Sequence, residues 1–322
     1  MKESPLFWPA FLKKDVLFVL DETLIPEKVK YIQVKTPSQA VKVIKTMKTR
    51  AFGQFLVVLS TFLLVLKDKN IKSDKALVKK FFDVAHALNK SRPTFPFSEV
   101  TGMILGWAQK AQKENKDLRL SLQKSIEGFL FGIRGRRLER VQKLADTIKK
   151  HKVILTHCNV SGELAMAAQI CKSAGKNISF FATETRPYFQ GSRLTAWELK
   201  KAGVPVTLVA DNAVATLMRD KIIDAVVVGS DRSCANGDFA NKIGTLQIAV
   251  LAKEFDVPFY VLTQPSNKVK NGGDIPIEIR DENELLKVRG KRFAPKGVKG
   301  FYPGFDVVPH KFITKAIAIN VN

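Results

Sequence analysis

Apolar residues recur along the second half of the chain in short, nearly continuous runs, and each run is followed by a stretch with helical periodicity. Such runs are typical of strands that are covered on both faces, and the helices between them fit right-handed crossovers. We therefore predict a doubly wound, mainly parallel sheet. Its strands are expected at 152–157, 177–183, 204–210, 224–230 and 258–263, with a crossover helix over 161–174.

The first half of the chain has a mostly helical rhythm. Residues 15–31 suggest a small β-hairpin-like element with Pro26 at its turn. Apolar positions then predict helices over 38–47, 53–66, 74–89 and 99–115. The predicted fold class is α/β, in which a C-terminal Rossmann-like sheet domain is preceded by a mostly helical N-terminal domain with a small β element. The predicted limits are 1–120 for the first domain, 121–150 for a charged connecting helix and 151–322 for the sheet domain.

Length and composition narrow the class of protein. The chain has 322 residues, of which 45% are apolar, enough for one large core or two modest ones. Its longest apolar stretch, 55–66, is shorter than the about 18 residues of a membrane span and is interrupted by Ser60 and Thr61, so it predicts a buried helix. No basic leader followed by an apolar stretch opens the chain, and we expect a cytoplasmic protein. Three cysteines without CxxC spacing argue against a disulfide framework and a zinc site.

The net charge of +23 raises the question of a nucleic-acid partner, because clustered Lys and Arg neutralise phosphates. The lysines are instead spread from Lys2 to Lys315 in short groups, and no RNA-binding aromatic motif, finger or basic tail is visible. A solvated surface accounts for this distribution, while an anionic small substrate or RNA remains the alternative. We expect neither a nucleic acid nor a membrane as partner.

Two chemically active residues follow predicted strands. Cys158 comes after KVILTH and Asp231 after DAVVVGS. Ligands of open parallel sheets bind beyond the carboxyl ends of the strands, so we expect both side chains to face one crevice. A thiolate there is stabilised by helix N-termini and basic groups, and a carboxyl in an apolar pocket is held protonated as an acid. Taken alone, the cysteine also fits a small apolar core residue and the aspartate a turn former or cap.

The segment after Asp231 predicts an anion-binding site. Asn236-Gly237 predicts a tight turn, Asp238 is placed to cap a following helix, and Asn241 and Lys242 then fall in its first turn. First-turn N–H groups and the helix dipole favour an anion, and Lys242 adds a positive charge. We therefore expect a phosphate-binding helix start here. A simple N-cap with a solvated lysine explains the cap but not the acid seven residues earlier.

Long motifs in both halves resemble those of methylthioribose-1-phosphate isomerases. In the second half these are THCN at 156–159, ETRPYFQGSRLTAWEL at 184–199, VTLVADNA at 206–213, VVVGSDRSCANGDFANKIGT at 226–245 and GFDVVPH at 304–310. In the first half they are LDETLIPEKVKYI at 20–32, the 47–50 segment and SRPT at 91–94. That family is related to ribose-1,5-bisphosphate isomerases and to regulatory subunits of translation-initiation exchange factor 2B. The resemblance covers nearly the whole chain.

The resemblance implies an aldose–ketose isomerase that acts on a 5-modified ribose 1-phosphate, best matched by 5-methylthioribose 1-phosphate. It implies no metal and no organic cofactor, and a homodimer. Asp231 is the implied proton donor and Cys158 the second catalytic group. The implied substrate-binding residues are Arg50, Ala51, Phe52, Arg92, Gln190, Asn241 and Lys242.

Two departures from the family pattern bear on the substrate. Where those enzymes read Arg-Gly-Ala-Pro, this chain reads Arg50-Ala51-Phe52-Gly53, which places a bulky ring beside the expected phosphate and removes a glycine. The segment from Cys158 to Glu184 is shorter and resembles the bisphosphate isomerases more. A bisphosphate isomerase, with Arg186 and Arg193 as candidate cations for the second phosphate, therefore stays an alternative. A non-catalytic regulatory subunit and an inactive sugar-phosphate binder are the others.

Overall fold

The computed structural model describes residues 2–92, 95–264, 268–288 and 290–319. The chain divides into two compact units, Pro5–Gly135 and Met1–Ser4 with Arg136–Asn322. The division falls inside a single helix, Leu118–Ile148, that occupies the predicted connecting segment. The limits 1–120, 121–150 and 151–322 remain our proposal for the domains.

The first unit combines a small antiparallel sheet with a layer of helices. Its sheet has the order β1-β2-β3 and its helices run to the start of α5. The predicted β element and all five helical segments are confirmed, and the sheet gains a first strand through the tight turn at Lys14 and Asp15. The bounds are β1 (Ala10–Lys13), β2 (Val16–Leu20), β3 (Tyr31–Val34), α1 (Pro37–Lys45), α2 (Ala51–Leu66), α3 (Asp74–Ser91), α4 (Phe97–Lys113) and α5 (Leu118–Ile148).

Helix α2 forms the centre of the first unit. Nearly all of its side chains are buried, and Phe62 meets Phe81 of α3 with ring centroids 4.9 Å apart. The buried Thr61 hydroxyl donates to the Val57 carbonyl at 2.6 Å, so this polar group costs little in an apolar helix. The prediction of a buried helix is confirmed. None of the helices in the described part of the chain has the length and apolarity that crossing a bilayer requires.

The second unit is built on a six-stranded parallel sheet of order β14-β10-β7-β4-β5-β6. A three-stranded antiparallel sheet, β13-β9-β8, and a short β11-β12 hairpin complete it. The strands are β4 (Val153–His157), β5 (Ser179–Thr183), β6 (Val206–Val209), β7 (Ala225–Val228), β8 (Arg232–Ser233), β9 (Phe239–Lys242), β10 (Phe259–Thr263), β11 (Lys287–Val288), β12 (Lys291–Arg292), β13 (Phe305–Val308) and β14 (Lys315–Ala318). The helices are α6 (Glu163–Ser173), α7 (Ala196–Lys201), α8 (Val214–Arg219), α9 (Thr245–Glu254) and α10 (Asn283–Leu286).

The strand order reverses direction between β4 and β7. From β4 the chain proceeds outward through β5 and β6, and it then returns to β7 and proceeds the other way through β10 and β14. All strands of this sheet pair in parallel, and the apolar run Ala225–Val228 is buried throughout, as is typical of strands that helices cover on both faces. The Rossmann-like prediction is confirmed. The carboxyl ends of β4 and β7 thus flank the topological switch point, where open α/β sheets bind their ligands.

Asn241 and Lys242 lie on strand β9, so their predicted place in the first turn of a helix is wrong. The Asn236-Gly237 turn closes a β-hairpin, in which Gly237 takes a φ of 91°, and β9 pairs with β8 on one side and β13 on the other. These long-range hydrogen bonds satisfy the backbone of 239–242 in a way that local sequence does not reveal. Helix α9 begins later, after Gly244.

Candidate functional site

Cys158 and Asp231 leave the sheet from the carboxyl ends of adjacent strands. Strands β4 and β7 pair His157 with Val228, and Cys158 and Asp231 follow these two positions. The Cys158 side chain is buried, Asp231 is partly buried, and the Asp231 N–H donates to the Ala240 carbonyl at 2.9 Å. The structure therefore brings both predicted catalytic residues to the switch point of the sheet.

Left-handed backbone conformations concentrate at the ends of β4 and β5. Four residues other than glycine have positive φ there: Cys158 (64°), Ser161 (51°), Thr185 (61°) and Phe189 (58°). L-residues with a Cβ adopt this region at a cost, and such costs are retained where the surrounding structure fixes a functional site. The concentration marks this edge of the sheet independently of residue type.

His157 is a buried residue of this edge that sequence reasoning missed. Its Nε2 donates to the Ile243 carbonyl at 2.9 Å, so its Nδ1 accepts from the Thr183 hydroxyl at 2.7 Å. Burial lowers the pKa of His157, and the imidazole is neutral. The sequence feature that could have identified His157 is its place at the end of an otherwise apolar strand, directly before Cys158. The bond to Ile243 connects the end of β4 with the segment between β9 and α9.

Lys242 is a buried cation on β9. Its Nζ donates to the Tyr302 hydroxyl at 3.1 Å and to the Gly304 carbonyl at 3.0 Å, and it lies 5.0 Å from the centroid of the Phe305 ring. Within the described ranges no Asp or Glu forms an ion pair with it, although only 6% of the residue is exposed. Buried ammonium groups are normally paired with an anion. Lys242 is therefore suited to bind a phosphate group. It lies on a strand and not at the start of a helix, where we had predicted it.

Asn241 precedes Lys242 on the same strand and is also buried. Its Nδ2 donates to the Thr245 hydroxyl at 3.0 Å, and that hydroxyl donates to the Lys242 carbonyl at 2.6 Å. Thr245 is the first residue of α9. The two predicted phosphate-binding residues are thus held next to a helix N-terminus without being part of it.

Asp306, and not Asp238, caps α9. Its Oδ2 accepts from the N–H groups of Gly244 at 2.8 Å and Leu246 at 3.1 Å. Burial raises the pKa of Asp306 to about 6, although these N–H groups and Lys242 act in the opposite direction. Asp238 instead accepts from the Gly272 and His310 N–H groups, which fixes loops around the hairpin. The capping carboxyl arrives from β13, far along the chain, so local spacing could not identify it.

This pKa shift predicts a pH-dependent stability. Between pH 3.8 and about 6 the folded protein holds a proton at Asp306 that the unfolded chain releases, so the free energy of unfolding falls as pH rises. Asp306→Asn removes this slope. We compare the free energies of unfolding of the variant and the original chain by urea unfolding at pH 4 and at pH 7. The value for the variant minus the value for the original chain should be about 2 kcal/mol higher at pH 7 than at pH 4.

Asp238→Asn is the matched control for that measurement. Burial would raise the pKa of Asp238, but hydrogen bonds from Asn236, His310 and Gly272 lower it to about 2. Its stabilising effect is present above pH 3.8 and is lost only as pH falls toward 2. Measured in a His310→Gln background, which removes the imidazole that contacts Asp238 Oδ1 at 3.0 Å, the stability difference for Asp238→Asn should change little between pH 4 and pH 7. A constant difference for Asp306→Asn as well would contradict the assignment.

Gln190 lies in the turn after β5 with a buried side chain. Its Oε1 has no hydrogen-bond partner among the residues that the structure describes. Buried polar atoms are nearly always bonded, so this oxygen is suited to accept from a ligand hydroxyl. Gly191 beside it permits the tight turn, since a Cβ there would stand 1.8 Å from the Thr183 carbonyl oxygen.

The four predicted binding residues of the first unit meet at the N-terminus of α2. Arg50 is the N-cap residue and its Nε donates to Glu22 at 2.6 Å, while Ala51 and Phe52 form the start of the helix. Arg92 reaches the same turn, because its Nη1 donates to Gln54 Oε1 at 3.0 Å. Two guanidinium groups beside first-turn N–H groups suit an anion. The last two residues of the SRPT motif, 93–94, lie outside the described residues.

Phe52, which departs from the family pattern, packs into an aromatic cluster of the first unit. Its ring lies 5.7 Å from that of Trp8 and 6.0 Å from that of Phe55. Gly53 permits a close approach, since a Cβ there would stand 1.8 Å from Thr49 Oγ1. The bulky ring is therefore accommodated by aromatic packing, and the glycine serves the contact between α2 and Thr49.

The chain matches known proteins along most of its length. Residues 54–318 match the model of the Initiation factor 2 subunit family. The chain is 36% identical to the methylthioribose-1-phosphate isomerase of Thermoanaerobacter sp. (strain X514), covering 95% of this chain and 92% of that protein. It is also 36% identical to the 5-deoxyribose 1-phosphate isomerase of Petrotoga mobilis, covering 94% and 91%. It superposes on the 5-methylthioribose 1-phosphate isomerase from Pyrococcus horikoshii OT3 with a TM-score of 0.85 and 30% identity, covering 98% and 93%.

Proposed function

Because the chain belongs to the Initiation factor 2 subunit family, we propose that it is an aldose–ketose isomerase that converts a 5-substituted ribose 1-phosphate into the corresponding ribulose 1-phosphate. The observation that carries this proposal is the placement of Cys158 and Asp231 at the ends of adjacent strands at the switch point. The names of the similar proteins support the same reaction. Retention of both residues favours an enzyme over a regulatory subunit.

The reaction needs an acid because the phosphate on C1 locks the sugar ring. Asp231 gives a proton to the ring oxygen, and the bond between that oxygen and C1 breaks. Hydrogen then moves from C2 to C1 with the participation of Cys158. The proton that the C2 hydroxyl loses balances the one that Asp231 supplied, so no co-reactant is consumed. A positioned acid contributes roughly 10²–10⁴-fold to such a step.

The phosphate and the sugar hydroxyls require fixed cations and polar groups. We assign Lys242 and Asn241 to the phosphate, because Lys242 is buried without a carboxylate ion pair within the described residues. Gln190 is assigned to a sugar hydroxyl through its Oε1. From the first unit, the family resemblance adds Arg50, Arg92 and the start of α2 at Ala51 and Phe52. Fixed charges of this kind stabilise developing charge without reorganisation.

We propose 5-methylthioribose 1-phosphate as the substrate. The similar methylthioribose-1-phosphate isomerase and the similar 5-deoxyribose 1-phosphate isomerase are both 36% identical to this chain. Sequence identity therefore does not distinguish a methylthio group on C5 of the substrate from a hydrogen. For a second phosphate, the candidates are Arg193 and Arg186, and the contacts of Arg186 fit this role. Its guanidinium lies over the rings of Phe189 and Phe293 and donates to the Leu285 carbonyl, and its Nη1 has no partner in the described part of the chain.

Turnover of three substrates measured in parallel tests the proposal. Purified protein is incubated with 5-methylthioribose 1-phosphate, 5-deoxyribose 1-phosphate and ribose 1,5-bisphosphate, and ketose formation is followed by phosphorus NMR. We expect the highest kcat/KM for the methylthio sugar. A preference for the bisphosphate would instead identify a ribose-1,5-bisphosphate isomerase of nucleotide salvage. Arg186 would then be a candidate to bind the second phosphate. No conversion of any substrate by folded protein would support a binding or regulatory role.

We further propose that the protein works as a homodimer in the cytoplasm and takes part in methionine salvage. These three statements rest on the family resemblance and on the names of the similar enzymes. Light scattering of the purified protein tests the first of them. A mass of two chains is expected, and a mass of one chain would contradict it.

A further inference from the structure

Threonine hydroxyls hold both polar groups of the Cys158 backbone. The Cys158 N–H donates to Thr185 Oγ1 at 3.0 Å, and the Cys158 carbonyl accepts from Thr195 Oγ1 at 2.6 Å. Both threonines are buried; Thr185 follows β5 by two residues, and Thr195 ends the short π-helical segment Gly191–Thr195 that leads into α7. The N–H and carbonyl of a single residue are thus fixed from two sides.

Thr185 is itself fixed from the next strand. Its N–H donates to Asp211 Oδ1 at 2.7 Å, and the following N–H, of Arg186, donates to Asp211 Oδ2 at 2.6 Å. Asp211 follows β6, so the bonds connect the ends of β4, β5 and β6 in a row. Thr185 and Cys158 both hold positive φ. Two strained residues persist here because the carboxylate and hydroxyl bonds determine their conformation.

A second chain of hydrogen bonds reaches the same hydroxyl from β4. His157 Nδ1 accepts from Thr183 Oγ1 at 2.7 Å, and Thr183 Oγ1 stands 3.3 Å from Thr185 Oγ1. The neutral His157 accepts the hydrogen bond of the Thr183 hydroxyl, so the Thr185 hydroxyl can donate to Thr183 Oγ1 or to the Thr183 carbonyl, which is 3.4 Å away. The Thr185 oxygen is then oriented to accept from the Cys158 N–H.

From this geometry we infer that Thr185 is the positioning residue for Cys158: its hydroxyl holds the cysteine backbone in the left-handed conformation that sets the place of the thiol. The inference rests on the proposed function for the role of the thiol, but the geometry itself can be tested without turnover. A hydroxyl in this role is required as an acceptor and not for its bulk. Serine should replace it, and valine should not.

The test compares Thr185→Val with Thr185→Ser, and Thr156→Val is the matched control. Thr156 is a buried threonine of β4 whose hydroxyl has no partner in the described ranges, so loss of this hydroxyl should change neither kcat nor the alkylation rate of Cys158. For Thr185→Val we expect kcat to fall at least about tenfold with KM changed less than about threefold. Alkylation of Cys158 by iodoacetamide, followed by peptide mass spectrometry, should become at least about threefold faster as the buried loop loosens. Thr185→Ser should match the original chain in both.

Alkylation of the other two cysteines separates positioning from general destabilisation. Cys171 and Cys234 are also buried, and their rates should stay unchanged in Thr185→Val. Faster alkylation of all three cysteines would show that the substitution loosens the whole unit and would overturn the inference. Unchanged kcat and unchanged Cys158 alkylation would overturn it as well. If Cys158 alone reacts faster while the original chain converts no sugar phosphate, the positioning role stands and the proposed function fails.

Discussion

Asp231→Asn is expected to lower kcat by about 10³-fold with little change in KM, because the amide cannot supply the proton that opens the sugar ring. The substitution keeps the size of the side chain, and the hydrogen bond of the residue 231 N–H to Ala240 does not depend on it. Folding should therefore be preserved. The measurement is the initial rate of ketose formation from 5-methylthioribose 1-phosphate over a range of substrate concentrations.

Asp224→Asn is the matched control for that experiment. Asp224 directly precedes the other end of β7, where its carboxylate accepts from the Lys152 and Val153 N–H groups, so it shares the strand but not the carboxyl edge. We expect this variant to keep its kcat within about threefold of the original chain. Full turnover by Asp231→Asn would show that another group acts as the acid.

Cys158→Ser is expected to reduce kcat by at least about 10²-fold while substrate still binds, because a hydroxyl is a far weaker acid and nucleophile than a thiol. Serine differs by a single atom and keeps the backbone bonds to Thr185 and Thr195. KM should change less than about threefold. Binding is checked separately by calorimetric titration of the variant with the substrate.

Cys171→Ser and Cys234→Ser are the controls for the thiol. Burial raises the pKa of both thiols, and neither residue lies at the carboxyl edge of β4 or β7. These variants should keep turnover, with at most a modest loss of stability. An equal loss of activity in all three serine variants would indicate a structural cause and would remove the special role of Cys158.

The parallel sheet and the helices could be predicted because their signals are local. Apolar runs such as 225–228 and the helical spacing of 51–66 arise from burial that each segment carries in its own sequence. The positions of Cys158 and Asp231 followed from the same patterns, since the end of a strand is visible where its apolar run stops. The rule for ligands of parallel sheets then placed both residues at one edge.

The tight turn at Asn236-Gly237 was predicted, but the strand that follows it was not, because the pairing of that strand with a distant partner decides its conformation. Asp238 has the type and spacing of an N-cap, and local sequence favours the helix that we expected over 239–242. Pairing of this segment with β13 at 305–308 overrides that preference. The same strand carries Asp306, which takes the capping role. The pairing of β9 with β13 and the cap from Asp306 both require contacts about sixty residues apart in sequence, which spacing cannot show.

The strained backbone at Cys158 and Thr185 was likewise invisible to sequence reasoning. Glycine signals a positive φ because it lacks a Cβ, whereas cysteine and threonine give no such signal. Their conformations are determined by the hydroxyl and carboxylate bonds that connect β4, β5 and β6. Sequence thus identified the chemical group, and the structure shows how its backbone is held.

Proton NMR of 5-methylthioribose 1-phosphate incubated with the unaltered protein shows whether the protein isomerises this sugar. We expect the resonance of the proton on C1 of the aldose to disappear and the C1 methylene resonances of 5-methylthioribulose 1-phosphate to replace it. The contrary result is a substrate that binds but does not react. Its resonances would broaden, and its C1 resonance would persist through long incubation with stoichiometric folded protein. That result would contradict the assignment of the protein as an isomerase of this sugar.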